Sequence, residues 1–242
     1  MTSIFAQLKQ DLEAGRLVAA ATVLAGPNPG ARMLAWPDGR TAGSLGQPDL
    51  DRQVAGRMQA LLGDQQTTRE RFVAGGVEYD LFIEVFPPPS RLIIIGAAHV
   101  AIALVSFARV LGFRTTVIDP RPAFATADRF GHADHLLPGW PDDLLPGLNL
   151  DEGCYVAVLS HDDKIDLPAL ALAVRSPARY IGALGSRQTM ARRAERLREL
   201  GVSDEALRRI HNPIGLALGG RRPEETALAI MAEIVAVQNG RS

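Results

Sequence analysis

The fold of this chain is decided by residues 91–118, which read RLIIIGAAHVAIALVSFARVLGFRTTVI. A continuous apolar run, Arg91 to Ile95, ends at Gly96 and is followed by helical apolar spacing from Val100 to Leu111. A β-branched run, Thr115 to Ile118, comes next. Apolar strands without alternation are typical of a parallel sheet whose two faces are covered by helices. We therefore predict a strand, helix and strand of a doubly wound α/β domain.

The same alternation of strands and helices continues to the end of the chain. Further strands are predicted at Tyr155 to Leu159 and Arg179 to Leu184, and further helices at Leu167 to Val174, Arg187 to Leu200, Ser203 to Ile210 and Pro223 to Gln238. We assign residues 90–242 to a Rossmann-like C-terminal domain with a parallel sheet.

Three consecutive prolines, Pro87 to Pro89, mark the boundary of this domain, because they remove three backbone donors and hold the chain extended. Residues 1–87 are predicted to form a small α+β domain. Its predicted helices are Ser3 to Ala14 and Asp51 to Leu62, and its predicted strands are Leu17 to Leu24, Met33 to Trp36, Arg40 to Ala42 and Val77 to Phe86. The turn Pro37-Asp38-Gly39 predicts a hairpin between the second and third of these strands.

Composition excludes several classes of partner. The chain has 242 residues, with 26 lysines and arginines against 27 aspartates and glutamates, so its formal net charge is −1. A near-neutral chain lacks the concentrated positive charge that binds nucleic acids and acidic membranes, so neither is expected as a partner.

The first residues, MTSIFAQLKQDLEAG, resemble no secretory signal, and the lone Cys154 suits a reducing compartment. We expect a cytoplasmic protein.

The histidines and the cysteine predict no metal site. His99, His132 and His135 form no i, i+4 pair on a helix, and no cysteine or glutamate is placed to complete a tetrahedron. Cys154 opens an apolar strand, which favours a small buried hydrophobe over a nucleophile. The loop 125–138, which holds His132 and His135, is predicted to be a lid or a partner surface. We predict no catalytic residue.

The turn after the first strand of the C-terminal domain lies where a dinucleotide fingerprint is expected. Gly96 allows a tight turn, and Ala98 and His99 bring backbone N–H groups toward an anionic phosphate at the helix N-terminus. Asp119, at the end of the next strand, is placed to accept a hydrogen bond from a ribose hydroxyl, and Arg121 follows it. The Ala98 methyl group stands where a pyrophosphate approaches most closely, which argues against tight NAD binding. The alternative is that these small residues serve only strand-to-helix packing.

Two further turns supply candidate cofactor-binding residues. His161 and Asp162 follow an apolar strand, at the edge of an open α/β sheet where ligands bind. The alternative for the acidic residues is that Asp162 or Asp166 caps the following helix, and we favour the cap for Asp166.

The turn after the next strand repeats this design. It contains Gly182, Gly185, Ser186 and Arg187, whose free N–H groups and guanidinium predict an anion site suited to a pterin phosphate or a nucleotide phosphate. Arg187 in solvent is the alternative. His211 closes a short helix beside the predicted crevice, and either contacts the ligand or the last helical carbonyls.

Four motifs carry a family resemblance. In order they are LIIIGAAHVAIALVSFARVLGFRTTVIDPR, SHDDKID, YIGALGSRQT and HNPIGLALGGRRPEETALAIMAEIVA. Over residues 90–239 this chain resembles the C-terminal Rossmann domain of the xanthine dehydrogenase accessory (XdhC/CoxI) family. Upstream, GARMLAWPDGRTAGSLG resembles the N-terminal domain of that family.

The resemblance implies a maturation factor for molybdenum hydroxylases rather than a catalyst. It implies that the chain binds the molybdopterin form of the molybdenum cofactor, helps its sulfuration and delivers it to a xanthine dehydrogenase-like apoenzyme. One departure concerns the segment 46–51, GQPDLD, where the family continues with a glycine-rich run that ends in a cysteine. Pro48 removes a backbone donor there, and Asp49 offers a hard carboxylate instead of a soft thiolate.

Two other functions stay open. An NAD(P)-dependent oxidoreductase is compatible with the Gly96 turn and Asp119, although no Tyr-Lys pair or hydride-site acid accompanies them. A non-catalytic docking protein would bind an apo-molybdenum hydroxylase or a cysteine desulfurase without holding the cofactor. The apolar stripe Leu228, Met231, Ile234 and Val235 is helix core, or a homodimer face if it is exposed.

Overall fold

A computed structural model describes residues 3–241 and divides the chain into two compact units, Met1–Pro88 and Pro89–Ser242. The first unit is built on an antiparallel sheet and the second on a parallel sheet, so the predicted α/β class is confirmed. Across residues 3–241, no helix combines the length and the apolar character that crossing a membrane requires.

Residues 3–88 of the first unit contain two helices and five strands. They are α1 (Ile4–Glu13), β1 (Val18–Ala25), β2 (Arg32–Ala35), β3 (Thr41–Ser44), α2 (Pro48–Asp64), β4 (Thr68–Ala74) and β5 (Val77–Phe86). The strands form one antiparallel sheet in the order β3-β2-β1-β5-β4. The predicted hairpin is confirmed, because β2 pairs with β3 around the Pro37-Asp38-Gly39 turn.

The two helices cover opposite faces of this sheet. Leu50, Val54 and Met58 of α2 are fully buried in one core, and α1 adds Ile4 and Leu8 to a smaller cluster on the other face. Strand β4 was missing from the sequence prediction. Its residues alternate between partly buried and exposed positions and are mostly polar or charged, so it lacks the apolar pattern of the other strands.

The second unit alternates strands with helices. Its strands are β6 (Arg91–Ile95), β7 (Arg114–Ile118), β8 (His135–Leu137), β9 (Cys154–Val158), β10 (Tyr180–Ala183) and β11 (Ile210–His211). Its helices are α3 (His99–Val110), α4 (Ala127–Phe130), α5 (Pro141–Leu144), α6 (Asp163–Ala173), α7 (Arg187–Glu199), α8 (Asp204–Leu207) and α9 (Pro223–Gln238), with a 3-10 turn at Leu145–Leu148.

All six strands run parallel in the order β11-β10-β9-β6-β7-β8. This is the doubly wound Rossmann order, so the predicted C-terminal fold is confirmed. Successive β6 residues point to opposite faces: Leu92 and Ile94 enter one core, and Ile93 and Ile95 enter the other. Burial on both faces explains why this strand reads as an unbroken apolar run.

The strand order reverses between β6 and β9, which are neighbours in the sheet although the chain visits β7 and β8 between them. Ligands of open α/β sheets bind beyond the carboxyl ends of the strands at such a switch point. Gly96 follows β6 at this place, and Ser160 and His161 follow β9.

Some local predictions were wrong. The helix predicted from Ser203 to Ile210 ends at Leu207, and Ile210 and His211 form strand β11 instead. Helix α6 begins at Asp163, four residues earlier than predicted, and its N-cap is Asp162, whose side chain accepts a hydrogen bond from the Lys164 amide. Asp166 therefore lies inside the helix and does not cap it. Segment 125–138 is also more than a loop, because it contains α4 and the edge strand β8.

Candidate functional site

A crevice of about 550 Å³ opens beyond the carboxyl ends of the central strands of the second unit. Residues from the three turns after β7, β9 and β10 and from helices α6 and α7 line it: Arg121, Ser160, His161, Asp162, Asp163, Gly185, Thr189, Arg192 and Arg193. Its volume lies within the usual range of about 300–1,000 Å³ for small-molecule sites. We refer to this set of residues as the crevice.

The crevice depends on a close approach of two chain segments at the switch point. Gly96 has a φ of +99°, and a Cβ atom at this position would come within 2.6 Å of the Ser160 backbone nitrogen and Cα. Ala98 is the N-cap of α3 without a side-chain cap hydrogen bond, and His99 begins the helix with an exposed side chain. Gly96 therefore makes the predicted tight turn, and it packs against Ser160 at the end of the neighbouring strand β9.

Asp119 is fully buried and ties the β6 turn to the β7 turn. Its Oδ2 accepts hydrogen bonds from the Ala97 amide at 2.7 Å and from Arg121 Nη2 at 2.8 Å. Its Oδ1 accepts from the Arg121 amide and from Arg121 Nε, both at 2.9 Å. Burial by itself would raise the pKa of Asp119, but the donors on Arg121 and Ala97 hold it below its ordinary value.

This arrangement bears on the predicted ribose contact. Both carboxylate oxygens of Asp119 already accept hydrogen bonds from within the unit, so a ribose hydroxyl would have to displace one of these donors. The amides of Gly96 and Ala97 are also in use, by Ile118 and Asp119. At the start of α3 the Ala101 amide donates to the Ala98 carbonyl at 3.1 Å, which leaves the His99 and Val100 amides as the N–H groups without an intrahelical acceptor.

His161 and Asp162 both line the crevice, but their side chains differ in exposure and in hydrogen bonding. His161 adopts a left-handed backbone conformation, with a φ of +62°, and exposes its side chain. Asp162 turns its carboxylate to the start of α6, where it accepts from the Lys164 amide at 2.9 Å. Its cap function confirms one of the two predicted alternatives for Asp162.

The base of the crevice is a buried ionic network that sequence reasoning missed. Arg193 is 2% exposed and donates from Nη2 to Asp166 at 2.5 Å and from Nε to Asp163 at 2.8 Å. Its Nη1 donates to the Leu184 carbonyl at 3.0 Å. The other Asp166 oxygen accepts from the Ser160 hydroxyl at 2.5 Å. The network thus joins the ends of β9 and β10 to helices α6 and α7.

The two aspartates of this network respond differently to their surroundings. Burial raises the pKa of Asp166 above its ordinary value, although Ser160 and Arg193 oppose that shift. The Arg193 hydrogen bond lowers the pKa of the less buried Asp163. One signal for Arg193 was present in the sequence, since helical spacing places it on the same face as the buried Leu197, four residues later.

The predicted residues of the turn after β10 have three different roles, which are packing, crevice lining and helix capping. A Cβ atom on Gly182 would lie 2.5 Å from Ile214, so this glycine serves packing inside the sheet. Gly185 lines the crevice with a φ of +142°. Ser186 caps α7 as predicted, accepting from the Thr189 amide at 3.1 Å. The Asn212 side chain fixes the turn by donating to the carbonyls of Ala183 and Gly185.

Arg187 lines a different cavity from the crevice. This second cavity, of about 510 Å³, lies along α7 and α8 and includes Arg187, Met190, Ala191, Ala194, Arg198, Asp204, Leu207, Arg208, Ile210 and Asn212. We call it the α7–α8 cavity. The exposed side chain of Arg187 is therefore beside the predicted anion site but not within the crevice.

His211 is held inside the unit by a polar network. Its Nδ1 lies 3.2 Å from Glu233 Oε1, and its ring packs against Tyr180 at a centroid distance of 4.6 Å. Tyr180 donates its hydroxyl to Glu233 Oε2 at 2.5 Å, and the Gly215 amide donates to the same oxygen at 2.8 Å. His211 thus contacts α9, and not the crevice.

The structure therefore brings together four of the predicted residues, Arg121, His161, Asp162 and Gly185, around the crevice. It adds Ser160, Asp163, Thr189, Arg192 and Arg193, which the sequence analysis did not single out. Ligand contact by any of these residues stays a prediction. Within residues 3–241, no three histidine, cysteine, aspartate or glutamate side chains converge to hold a metal ion.

Comparison with known proteins gives matches to two family models. Residues 92–234 match the XdhC Rossmann domain, and residues 11–73 match the XdhC and CoxI family. Escherichia coli YqeB is 30% identical over 240 residues, which cover 88% of this chain and 41% of YqeB. The molybdenum cofactor insertion chaperone PaoD of E. coli is 31% identical over 153 residues, which cover 63% of this chain and 42% of PaoD.

A further relative, from Bacillus subtilis, is described as a probable xanthine dehydrogenase subunit. It is 30% identical over 64% of this chain and 45% of its own length. This chain spans less than half the length of these three curated relatives. A crystal structure described as a xanthine dehydrogenase from Bacillus halodurans aligns over 96% of both chains with a TM-score of 0.58 and 20% identity. At that identity the likeness concerns the fold alone.

Proposed function

This chain belongs to the XdhC and CoxI family, and from that premise we propose that it is an accessory protein for the maturation of molybdenum hydroxylases. It binds the molybdopterin form of the molybdenum cofactor as cargo and delivers it to an apoenzyme of the xanthine dehydrogenase type. Two relatives support this role by their names, one a molybdenum cofactor insertion chaperone and the other a probable component of a xanthine dehydrogenase.

The observation that carries the proposal is the crevice at the switch point of the Rossmann unit. Molybdopterin combines a flat pterin ring with a terminal phosphate, so its site needs a planar wall and an anion-binding end. The N-terminus of α7 and the Arg192 side chain, which is 67% exposed, supply positive potential at one side of the crevice. Arg193 adds little net charge, because Asp163 and Asp166 neutralise it.

The first unit differs from the family pattern at the position that carries a thiol. Asp49 lies in the first turn of α2, where it accepts hydrogen bonds from Arg52 at 3.0 Å and from Gln53 at 3.2 Å. A carboxylate engaged in this way is a poor substitute for a thiolate as a molybdenum ligand. We therefore assign cofactor binding to the second unit.

The proposed partners follow from this role. The recipient of the cofactor is an apo-molybdenum hydroxylase, and a cysteine desulfurase that supplies sulfur is a second proposed partner. We also propose a homodimer, to which α9 contributes only the edge of its apolar stripe. Leu228 is 50% exposed there, whereas Met231 and Ile234 are buried in the core.

The test measures retention of molybdopterin through gel filtration, with the bound compound identified by mass spectrometry. Arg192→Ala removes a crevice cation, and we expect retention to fall about tenfold while the melting temperature stays within about 2 °C. Arg114→Ala is the matched control, because Arg114 begins β7 and so lies at the amino ends of the strands. It should bind like the unchanged protein.

A third variant separates the two cavities. Arg187→Ala removes the cation that the sequence analysis placed at the anion site but that lines the α7–α8 cavity. If Arg187→Ala weakens retention and Arg192→Ala does not, the cofactor lies in the α7–α8 cavity and our placement is wrong. Failure of the unchanged protein to retain molybdopterin at any concentration would contradict the cargo role itself and leave the docking function.

The strand order favours one other candidate, an NAD(P)-binding oxidoreductase, since the same order is typical of dinucleotide-binding domains. The occupied carboxylate of Asp119 counts against it. Saturable NADH binding with turnover of a substrate would establish the oxidoreductase in place of the accessory role.

A further inference from the structure

The guanidinium of Arg121 is held rigidly at the wall of the crevice. Its Nε and Nη2 both donate to Asp119, at 2.9 and 2.8 Å, which uses one edge of the guanidinium plane. The same group lies over the ring of Phe124, with 4.4 Å between Arg121 Cζ and the ring centroid. The edge is thus fixed by hydrogen bonds and one face by an aromatic ring.

Phe124 is itself held by hydrogen bonds to its backbone and by a second arginine, Arg129. The Phe124 amide donates to the Arg121 carbonyl at 3.0 Å, and Arg129 Nη1 donates to the Phe124 carbonyl at 3.0 Å. The Arg129 guanidinium lies 5.6 Å from the same ring. The guanidinium groups of Arg121 and Arg129 therefore both lie close to the Phe124 ring.

One flat face of the Arg121 guanidinium is used neither by Asp119 nor by Phe124. Arg121 lines the crevice, and its side chain is 32% exposed. With one edge on Asp119 and one face on Phe124, the opposite face and the Nη1 end of the guanidinium are the parts left for a ligand. Because the buried Asp119 carboxylate neutralises its charge, Arg121 is better suited to stack on a ring than to capture a phosphate.

We infer that Arg121, backed by Phe124, is a stacking platform for the planar fused heteroaromatic ring of the crevice ligand. The inference rests on the proposed function, in that it assigns the ring end of the ligand to Arg121 and the phosphate end to the α7 side. A pterin and an adenine share the required chemistry, a flat ring with an accessible π face. The two sources are distinguished by the choice of probe.

The test compares three probes on the intact chain by calorimetric titration: 6-carboxypterin, AMP and inorganic pyrophosphate. Arg121→Lys keeps the positive charge near Asp119 but removes the flat group, and we expect pterin affinity to fall about tenfold. Phe124→Leu keeps apolar bulk without the ring, and we expect a fall of about threefold. Pyrophosphate has no ring, so its affinity should change less than about twofold in both variants.

Arg114→Lys, at the amino end of β7, is the matched control and should leave all three affinities unchanged. Equal losses of pterin and pyrophosphate affinity in Arg121→Lys would overturn the platform, because they would show that charge alone matters. Unchanged pterin affinity in Arg121→Lys and Phe124→Leu would also overturn it, while leaving cofactor binding in place. Thermal melting of both variants confirms that they are folded.

The AMP arm separates the platform from the cargo. If the unchanged protein binds AMP but no pterin, and if that binding needs Arg121, the platform stands and molybdopterin as cargo is contradicted. If it binds neither ring, the platform and the proposed cofactor binding both fail.

Discussion

Gly96 and Ser160 are packed so closely that the site has no room for even one added methyl group between them. A Cβ atom on Gly96 would lie 2.6 Å from the Ser160 backbone nitrogen and 2.8 Å from the Ser160 Cβ. The contact joins the ends of β6 and β9, which are the two strands at the switch point. It therefore holds Ser160, which lines the crevice, against the end of β6.

Gly96→Ala should destabilise the protein by about 3 kcal/mol or more, because it combines a backbone clash with a φ of +99°. Urea unfolding followed by circular dichroism measures the loss. Gly112→Ala is the control, since Gly112 has a similar φ of +80° but no atom within 4 Å of the added Cβ. Its cost should be about 1 kcal/mol. Equal losses in the two variants would show that the Ser160 contact is not tight.

Asp166→Asn should destabilise the protein by about 3 kcal/mol, because it leaves the buried Arg193 with a single carboxylate partner, Asp163. Asp204→Asn is the control, as it breaks an exposed pair with Arg198 and should change the free energy of unfolding by less than about 1 kcal/mol. Both values come from chemical denaturation at pH 7. A small effect of Asp166→Asn would mean that Asp163 alone compensates Arg193.

Asp119 should contribute stability in a pH-dependent manner. Its pKa is lowered in the folded protein, so its contribution is present above the pKa of the unfolded chain, about 3.9, and is lost as the pH falls through the folded value. The difference in unfolding free energy between the unchanged protein and Asp119→Asn should be constant from pH 7 to about 5 and shrink below about 4. Urea midpoints measured across this range check it.

Asp143→Asn, at an exposed position, serves as the control for that series and should stay within about 0.5 kcal/mol of the unchanged protein. A difference for Asp119→Asn that grows as the pH falls would have the wrong sign for a carboxylate stabilised by Arg121.

Cys154 should be unreactive in the folded protein. It is fully buried, and burial raises the pKa of its thiol to about 11. Since the thiolate is the reactive form, iodoacetamide at pH 8 should alkylate the folded chain at least about 100-fold more slowly than the chain in urea. Mass spectrometry of timed samples gives both rates. Comparable rates would place the thiol in contact with solvent.

The parallel sheet could be predicted because its central strands are apolar on both faces. Ile93 is buried on one face of β6 and Ile94 on the other, so no polar residues alternate with the apolar ones. Strand β4 could not be found in this way, since Arg69 and Arg71 at the sheet edge pair with Asp80 and Glu78 rather than with a core. Edge strands carry charged side chains, which prevent pairing with other chains, and these charges remove the apolar pattern by which a strand is predicted.

The candidate site was predictable only at the strand ends. Gly96, His161 and Gly185 follow strands, and strand ends can be located from sequence. Arg193 and Asp166 come together from two helices, 27 residues apart, and their burial depends on how those helices pack. Helical spacing to Leu197 favours burial of Arg193 over its exposed neighbour Arg192, but it does not identify Asp166 and Asp163 as the partners of Arg193.

His161 combines a backbone conformation that favours glycine with a side chain that lines the crevice. Its φ of +62° would be adopted more easily by glycine, by about 1 kcal/mol, and its imidazole makes no hydrogen bond to any other part of residues 3–241. A chain optimised for thermal stability alone would carry glycine at position 161. Selection of variants for heat tolerance would therefore favour His161→Gly early, and the gain in stability would be accompanied by loss of the exposed imidazole that lines the crevice.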